Sequence, residues 1–446
     1  VEAAATVRAR VSAPVAAAGR INTAAQAEAV LERVDLVAVA RALLADPLWL
    51  AKIAQGQEER IRPCIGCNQG CIDRVLAHLP LTCVSNPWAG GEGQGREAPT
   101  AASASLPVVV VGGGVAGMEA AGTLGELGHP VVLFEAQESL GGQLRLAAAA
   151  PGKADFLRLV EFHQRRLADL SGVEVRLGVR ATVGRICACQ PAAVIVASGS
   201  SPVLPQIPGA DEAPMVTARQ VLAGQARVGR RVAVLGGGNT AIDSVRTAIR
   251  LPGVERVSLI YRRSREQMPA FAEEVAEAEL EGVELRFLLS PLEIKAAGQG
   301  LNVTLQVMEL GEADASGRRS PVPVAGKVEE LYCDSLIAAI GQQVAAPVPG
   351  NPALNRWGAI EAAANLATSL PGVFAGGDGA NKGPGLAVEA IADGQRAAAV
   401  IDKYLQGFDY MSSQPSYAEQ ADLTAADFAH VAAAERQVPA SLGQAE

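Results

Sequence analysis

Short apolar runs broken by glycine recur along this chain, and an apolar stretch of helical period follows each break. Val108–Val111 is four valines in a row, and Val232–Leu235 (VAVL) opens a second unit of the same kind. Such runs, bounded by turn residues, read as strands buried on both faces of a parallel sheet. The first run predicts a helix over Met118–Leu127 and a further strand over Val131–Phe134. The second predicts a strand over Val257–Tyr261, then a glutamate-rich helix over Ala272–Leu280 with a solvated face. Upstream, Val11–Ala18 ends in Gly19-Arg20, a helical pattern runs from Thr23 to Arg33, and Asp35–Ala40 leads through Arg41 into a short helix stopped near Asp46-Pro47. Downstream of Gln406 the chain turns polar. Leu423–Glu435 reads as a helix with Thr424 as cap and Asp427 three residues on, and the last ten residues read as loose.

Strands alternating with helices make an α/β protein. At 446 residues, and roughly 150 per domain, the chain holds two to four domains. Apolar residues at 49% against 19% charged permit a sizeable core, which excludes global disorder. The net charge of −9 makes nucleic acid an unfavourable partner. No apolar run is long enough to predict a membrane span, and no signal peptide is visible. The chain opens on Val1, so a fragment of a longer protein is an open reading. Residues 89–106, rich in Gly, Ala and Ser, read as a linker.

Two segments carry dinucleotide chemistry. In VVVVGGGVAG, Gly112, Gly114 and Gly117 match G-x-G-x-x-G, and the following strand ends in Glu135. The first glycine makes the turn, the second lets a diphosphate approach the backbone, and the third lets helix and strand pack closely. The helix N-terminus then faces the diphosphate, and the acid accepts hydrogen bonds from a ribose diol. In VAVLGGGNTA, Gly236, Gly238 and Ala241 match the G-x-G-x-x-A variant, and Asn239 and Thr240 offer further N–H groups. The strand after it ends in Tyr261-Arg262-Arg263-Ser264-Arg265, with no acid. Guanidinium groups at the ribose corner suit a 2′-phosphate, so Arg262 and Arg263 favour NADPH, with NADH as the alternative. An acid at one ribose position and a basic cluster at the other argue for two different nucleotides, FAD first and NADPH second.

Four of the seven cysteines cluster as Cys64-x2-Cys67-x3-Cys71-x11-Cys83, with Gly66 and Gly70 supplying turns. Soft thiolates at this spacing suit an iron–sulfur cluster or a structural zinc, in a reducing compartment. Cys187, Cys189 and Cys333 read as small apolar residues. Cys187-x-Cys189 lacks the two-residue gap of a redox dithiol, and no C-x4-C follows the first glycine motif, which argues against disulfide reduction. His78, His129, His163 and His430 are scattered and predict no metal site. No residue is assigned a catalytic role.

These motifs together resemble the flavoprotein fold with two dinucleotide-binding domains, the pyridine-nucleotide domain being inserted into the FAD domain. Ala193–Ser201 (AVIVASGSS) resembles the strand and turn closing the first FAD segment, Leu336–Gly341 (LIAAIG) with Gln342 the strand returning from the insert, and Gly372–Gly379 (GVFAGGDG) the late FAD motif. The resemblance implies Asp378 near the ribityl chain, and a helix over Gly385–Gly394 pointing its N-terminus at the flavin. From Pro107 to about Gln406 the chain is most similar to the small subunit of glutamate synthase, through Gly236–Asp243 (GGGNTAID) and Tyr261–Ala270 (YRRSREQMPA).

Residues 1–95 resemble the iron–sulfur flavoenzymes typified by 2,4-dienoyl-CoA reductase and trimethylamine dehydrogenase. Gly19-Arg20 and Val39-Ala40-Arg41 look like the last two βα units of an old-yellow-enzyme-type barrel, which implies FMN phosphate contacts at Gly19, Arg20 and Arg41 if the barrel is completed. Ala40 stands where that family has glycine. Glu138–Gln143 (ESLGGQ), which adds Gly142 and Gln143 as FAD contacts, and Pro151-Gly152-Lys153 echo the same family. The cysteine spacing matches its [4Fe–4S] site. A complete barrel needs about 250 residues, and only about 50 of that kind are here.

The fold expected is therefore α/β, with two nested Rossmann-like domains preceded by the last units of a TIM-type barrel and an Fe–S loop. The boundaries are 1–58 barrel remnant, 59–106 cluster segment and linker, 107–228 and 335–406 FAD domain, 229–334 NAD(P)H domain, and 407–446 tail. The resemblance implies a cytoplasmic oxidoreductase passing electrons from NADPH through FAD and [4Fe–4S] to FMN or a partner, as part of a dienoyl-CoA-reductase-like enoate reductase. Alternatives are an electron-input subunit like that of glutamate synthase, or an amine-dehydrogenase-like enzyme running electrons outward. Its partner would be a small-molecule substrate, a redox protein, a second copy, or a barrel-bearing chain.

Overall fold

The computed structural model describes residues 1–86, 88–90, 105–210, 215–313, 319–344, 350–356, 358–380 and 385–408. The expected helix at 423–435, His430 and most of the 89–106 linker lie outside these residues. Two five-stranded parallel sheets dominate. The first runs Val373–Ala375, Ala193–Val196, Val108–Val111, Val131–Phe134, Val173–Arg176 across the sheet. The second runs Glu284–Phe287, Arg256–Tyr261, Arg231–Leu235, Ser335–Ala338, Met215–Thr217. Every strand of the second falls, in sequence, between two strands of the first, so the second sheet is an insertion in the first. Two of its strands, Met215–Thr217 and Ser335–Ala338, lie just outside residues 229–334. An antiparallel ribbon, Ser200–Pro202 against Gln342–Val344, joins the chain going out to the chain coming back.

The valine runs are strands for the predicted reason. Val108, Val109 and Val110 are at most 1% exposed, because helices cover both faces. Each such side chain contributes about 1.5–3 kcal/mol on burial. The first core gathers Val110, Met118, Leu124, Leu133, Ile195 and Phe374, and the second Val234, Ile242, Val245, Leu259 and Ile337. A three-stranded antiparallel sheet, Leu289–Ala297, Gly300–Ala313 and Arg319–Cys333, packs on the second through Ile294, Leu301, Val303 and Leu305.

Residues 1–60 form two short βα units, with Ala16–Ala18 parallel to Leu36–Ala38. Thr23 caps the helix Ala24–Leu31 in a full capping box with Gln26. The helix after Arg41 spans Arg41–Ala45 and stops at Asp46, whose buried carboxylate accepts from Lys52 Nζ at 2.6 Å and from the Arg62 amide at 2.8 Å. Among the described residues no helix is long and apolar enough to cross a membrane.

The helix Ala272–Leu280 forms as expected, but its acids are not simply solvated. Glu274, Glu277 and Glu279 pair with Lys153, Arg246 and Arg265 on other elements.

Candidate functional site

The three glycines of the first motif do different things. Gly112 has φ +106°, and a Cβ on it would stand 2.3 Å from the Ala197 carbonyl. A Cβ on Gly117 would stand 1.9 Å from the Gly112 carbonyl. Both glycines are required by the protein's own backbone. Gly114 would meet nothing within 4 Å, so this face is open to a ligand. The helix begins at Val115, three residues earlier than expected, with Gly114 as its N-cap. Its free N–H groups thus start at the open glycine. Glu135 is tied to the loop: its carboxylate accepts from the Gly113 and Gln137 amides, both at 2.7 Å.

Distant segments close around this loop. Gly142, at φ +50°, places its α-carbon side so close to the loop that a Cβ would lie 3.1 Å from Gly114 Cα. Gln143 Nε2 donates to Asp378 Oδ2 and to Ser200 Oγ, each at 2.8 Å. Ser200 Oγ lies 3.2 Å from Asp378 Oδ2 and donates to Gln342, while the Gly385 amide donates to Asp378 Oδ1 at 3.1 Å. Burial pushes the Asp378 carboxyl up, against these hydrogen bonds. The structure therefore brings Gly114, Gly142, Gln143 and Asp378 together. Ser200 and Gln342 stand within family-like stretches of the sequence, but nothing local marks either as a site residue. The late helix begins at Ala387, two residues after Gly385.

The second loop repeats the arrangement. Gly236 has φ +142°, and a Cβ there would lie 2.2 Å from the Ala339 carbonyl, whereas Gly238 again meets nothing within 4 Å. The helix Asn239–Ala248 starts beside it. Asn239 uses its side-chain oxygen to accept from the Phe271 amide at 3.0 Å, and Thr240 is exposed. At the end of the neighbouring strand Arg262 is exposed, Arg263 Nε donates to the Arg319 carbonyl at 2.9 Å, and Arg265 pairs with Glu279.

Cys64, Cys67, Cys71 and Cys83 line one cavity, with Arg41, Asn68 and Gly70. The backbone that gathers them is tightly specified. Gly66 has φ +69°, and a Cβ on Gly70 would lie 2.9 Å from the Thr82 carbonyl and 3.0 Å from Cys83 Cα. Thr82 donates to the Gly70 carbonyl from its amide at 2.6 Å, locking the Cys71 and Cys83 segments together. Ile65 and Val84, each next to a cysteine, are buried with Leu144, Leu159, Phe162 and Ile391, which seats the loop on helices of the first module. Burial pushes the Cys67 thiol up to about 11, and the three other sulfurs add to the effect; burial also raises Cys83. Cys67 and Cys83 thus resist ionising unless a cationic group compensates them. Among the described residues no group of three or more His, Cys, Asp or Glu side chains is disposed to hold a single metal ion.

Both arginines expected at an FMN phosphate lie against this loop. Arg20, at φ +49°, pairs with Asp155 at 2.5 Å, and a Cβ on Gly66 would stand 3.2 Å from its guanidinium. Gly19 precedes it at φ +135°. Arg41 Nη1 donates to Asn68 Oδ1 at 2.6 Å. Of the remaining cysteines Cys333 is buried, as an apolar residue should be, Cys189 half-buried and Cys187 exposed at a helix end.

A buried ionic cluster escaped sequence reasoning. Glu119, wholly buried, lies 3.1 Å from Arg62 Nη1 and from Arg166 Nη1, and 3.7 Å from His163 Nε2. Burial pushes the Glu119 carboxyl up, but the two guanidinium groups outweigh it and hold the carboxyl well below its usual range. Burial likewise drives His163 down to about 3, against the pull of Glu119. Arg62 also donates to the Ser85 carbonyl at 2.6 Å, so it ties both ends of the cysteine segment to the helix behind the first glycine loop. The available signal was an acid, Glu119, set inside the apolar stretch of the helix Val115–Glu126.

Residues 106–394 match the family model described as pyridine nucleotide-disulphide oxidoreductase, and the chain belongs to that family of oxidoreductases. An NADH oxidase of Thermoanaerobacter brockii is 45% identical over 237 residues, 51% of this chain and 36% of the relative. The NADP(+)-dependent formate dehydrogenase subunit beta of Moorella thermoacetica is 37% identical over 380 residues, 78% of this chain and 54% of the relative. The chain thus spans between about a third and just over half of the length of these relatives. Its fold matches a solved 2-naphthoyl-CoA reductase complex with a TM-score of 0.70 at 23% identity, covering 88% of this chain and 55% of that one.

Proposed function

We propose that this member of the pyridine nucleotide-disulphide oxidoreductase family takes electrons from NADPH at the Gly236–Asp243 loop and passes them, by way of FAD at the Gly112–Gly117 loop and a [4Fe–4S] cluster on Cys64, Cys67, Cys71 and Cys83, to an acceptor outside the residues described. The observation that carries the reading is the pairing of two glycine loops, each open only at its second glycine, with four thiols around one cavity in the same unit. Bound flavin would exchange an electron pair with the nicotinamide and single electrons with the cluster, while the protein sets positions and potentials.

The chain's own residues have definable parts. Gly114 and Gly238 leave room for the diphosphates, and the following helix N-termini supply N–H donors and dipole. Glu135 stiffens the first loop and keeps its acid at the ribose corner. Gln143, Ser200 and Asp378 form a polar set suited to a ribityl chain. Arg262 and Arg263 supply the positive corner for a 2′-phosphate. Four soft thiols around one cavity suit a [4Fe–4S] cluster, which the resemblance of their spacing favours over a structural zinc. Arg20 and Arg41 place positive charge beside the thiols; with a completed barrel they would also serve an FMN phosphate.

For the acceptor, the enoate-reductase reading rests on the resemblance of residues 1–95. A second reading, an electron-input subunit in a cytoplasmic complex, draws on the formate dehydrogenase relative, which is named as a subunit. The test is an anaerobic titration of purified protein with NADPH, after flavin and iron are quantified. Flavin bleaching followed by loss of cluster absorbance is expected. Bound flavin that NADPH leaves oxidised refutes the proposed direction of entry.

A further inference from the structure

Lys153 belongs to the turn between the helices Gln143–Ala148 and Asp155–Ala168 of the flavin module, directly after Gly152 at φ +81°. Its ammonium reaches into the inserted module. Nζ stands 2.7 Å from Asp243 Oδ1 and 2.8 Å from Glu274 Oε1. The three side chains are 16%, 11% and 20% exposed, so water screens the pairs weakly. The two acids sit on both walls of the second nucleotide site. Asp243 is on the helix that starts beside Gly238, and Glu274 is in the first turn of Ala272–Leu280. The residue before that second helix, Phe271, donates its amide to Asn239, the first residue of the other. One lysine of the flavin module therefore grips both helices that shape the nucleotide site. The modules are also joined by the ribbon Ser200–Pro202 with Gln342–Val344.

We propose that Lys153 is a positioning residue: pivoting on the ribbon, the nucleotide module is clasped by Lys153 in the orientation from which its nucleotide reduces the flavin. The inference rests on the reading of the two loops as NADPH and FAD sites. Other charges face this place. Arg246, one helical turn beyond Asp243, is held by Glu277 and Glu281 at 2.7 Å each, and acts on Asp243 only through space. At the other end of the lysine's own turn, Asp155 is engaged by Arg20. The direct pairing is thus between Lys153 and two acids.

The role separates orientation from binding. A module set askew still binds NADPH through its own loop and arginines, but presents it off line, and displacements near 1 Å cost on the order of a hundredfold in rate. The experiment compares flavin-loaded wild type, K153M, K153R and D243N by anaerobic stopped flow. It reads the limiting rate of flavin reduction at saturating NADPH and the Kd for NADP+. For K153M we expect that rate to fall on the order of tenfold to a hundredfold, with flavin content and Kd unchanged. K153R should recover part of the rate, because the charge returns. D243N, which leaves Lys153 paired with Glu274, should lie between, and it carries the test if K153M does not fold. A wild-type limiting rate in K153M, or a raised Kd with an unchanged limiting rate, overturns the proposal. Failure of NADPH to reduce the wild-type flavin would instead overturn the assignment of the nucleotide sites.

Discussion

Alanine at Gly114 and alanine at Gly117 are the same chemical change, three residues apart, with opposite consequences. At Gly117 the new methyl group would be driven to 1.9 Å from the Gly112 carbonyl and 3.3 Å from a Val110 methyl. Neither is the end of a flexible side chain, so the loop backbone must move. Overpacking of this kind costs typically about 1–3 kcal/mol, and a backbone obstacle places G117A at or above the top of that range. At Gly114 the backbone is extended, with φ −71° and ψ 180°, which any residue adopts, and the methyl group meets no protein atom within 4 Å. Removing a glycine there should stabilise the apoprotein by about 0.4–1 kcal/mol through the unfolded chain. The methyl group would nonetheless stand where the diphosphate must approach the backbone. We expect G114A to fold with an unchanged or slightly raised apoprotein melting temperature and to purify without flavin, and G117A to lose stability before any question of binding arises. Thermal melting of flavin-stripped protein and flavin absorbance per chain separate the two. Stoichiometric flavin in G114A would refute the assignment of the open glycine to the ligand, and wild-type melting of G117A would refute the packing argument.

Three further outcomes follow from named interactions. Replacing Arg262 and Arg263 together by alanine should weaken NADPH relative to NADH, read as a fall in the ratio of their flavin-reduction efficiencies; each charge-assisted hydrogen bond to the 2′-phosphate is worth about 1.5–3 kcal/mol. Glu119→Ala leaves two guanidinium groups facing a void, but Arg62 keeps the Ser85 carbonyl and Arg166 keeps Glu126 at 2.7 Å. The loss should therefore sit near the low end of the range for a broken buried pair, about 3 kcal/mol by denaturant unfolding. His163 is held neutral by burial, its pKa falling from 6.5 to about 3. Between those values the unfolded chain binds a proton that the folded chain does not. Stability should therefore drop as pH falls below 6.5, by up to about 1.4 kcal/mol per unit from this residue. His163→Phe should flatten that slope between pH 6.5 and 5, above the range in which the depressed Glu119 adds a loss of the same sign.

The nested α/β plan was legible because its signals are local. Four consecutive valines cannot be solvated, and a glycine triplet at fixed spacing after such a run leaves few other folds. The strands Val108–Val111 and Val131–Phe134 and the helix Ala272–Leu280 stand where periodicity placed them. The helix behind the first loop starts earlier than its apolar period suggested, because Gly114 and Val115 enter the helix through cap geometry rather than through a buried side chain. The glutamates of Ala272–Leu280 looked solvated because nothing in the local sequence announces Lys153, Arg246 or Arg265 as partners.

The sequence by itself determined which residue types stand at each glycine loop, that the strand after one loop ends in an acid and the strand after the other in arginines, and that four thiols are near one another along the chain. These are matters of spacing within a few tens of residues, where chain geometry alone constrains what can meet. Only the tertiary structure supplied the obstacles behind that motif, the Ala197 carbonyl at Gly112 and the Gly112 carbonyl at Gly117, and the open space at Gly114. Likewise Gln143 meets Asp378 across 235 residues, and Lys153 spans two modules. Such meetings depend on how sheets and inserts pack, and burial then sets their strength, because a charge removed from water must find its partner wherever the fold brings one.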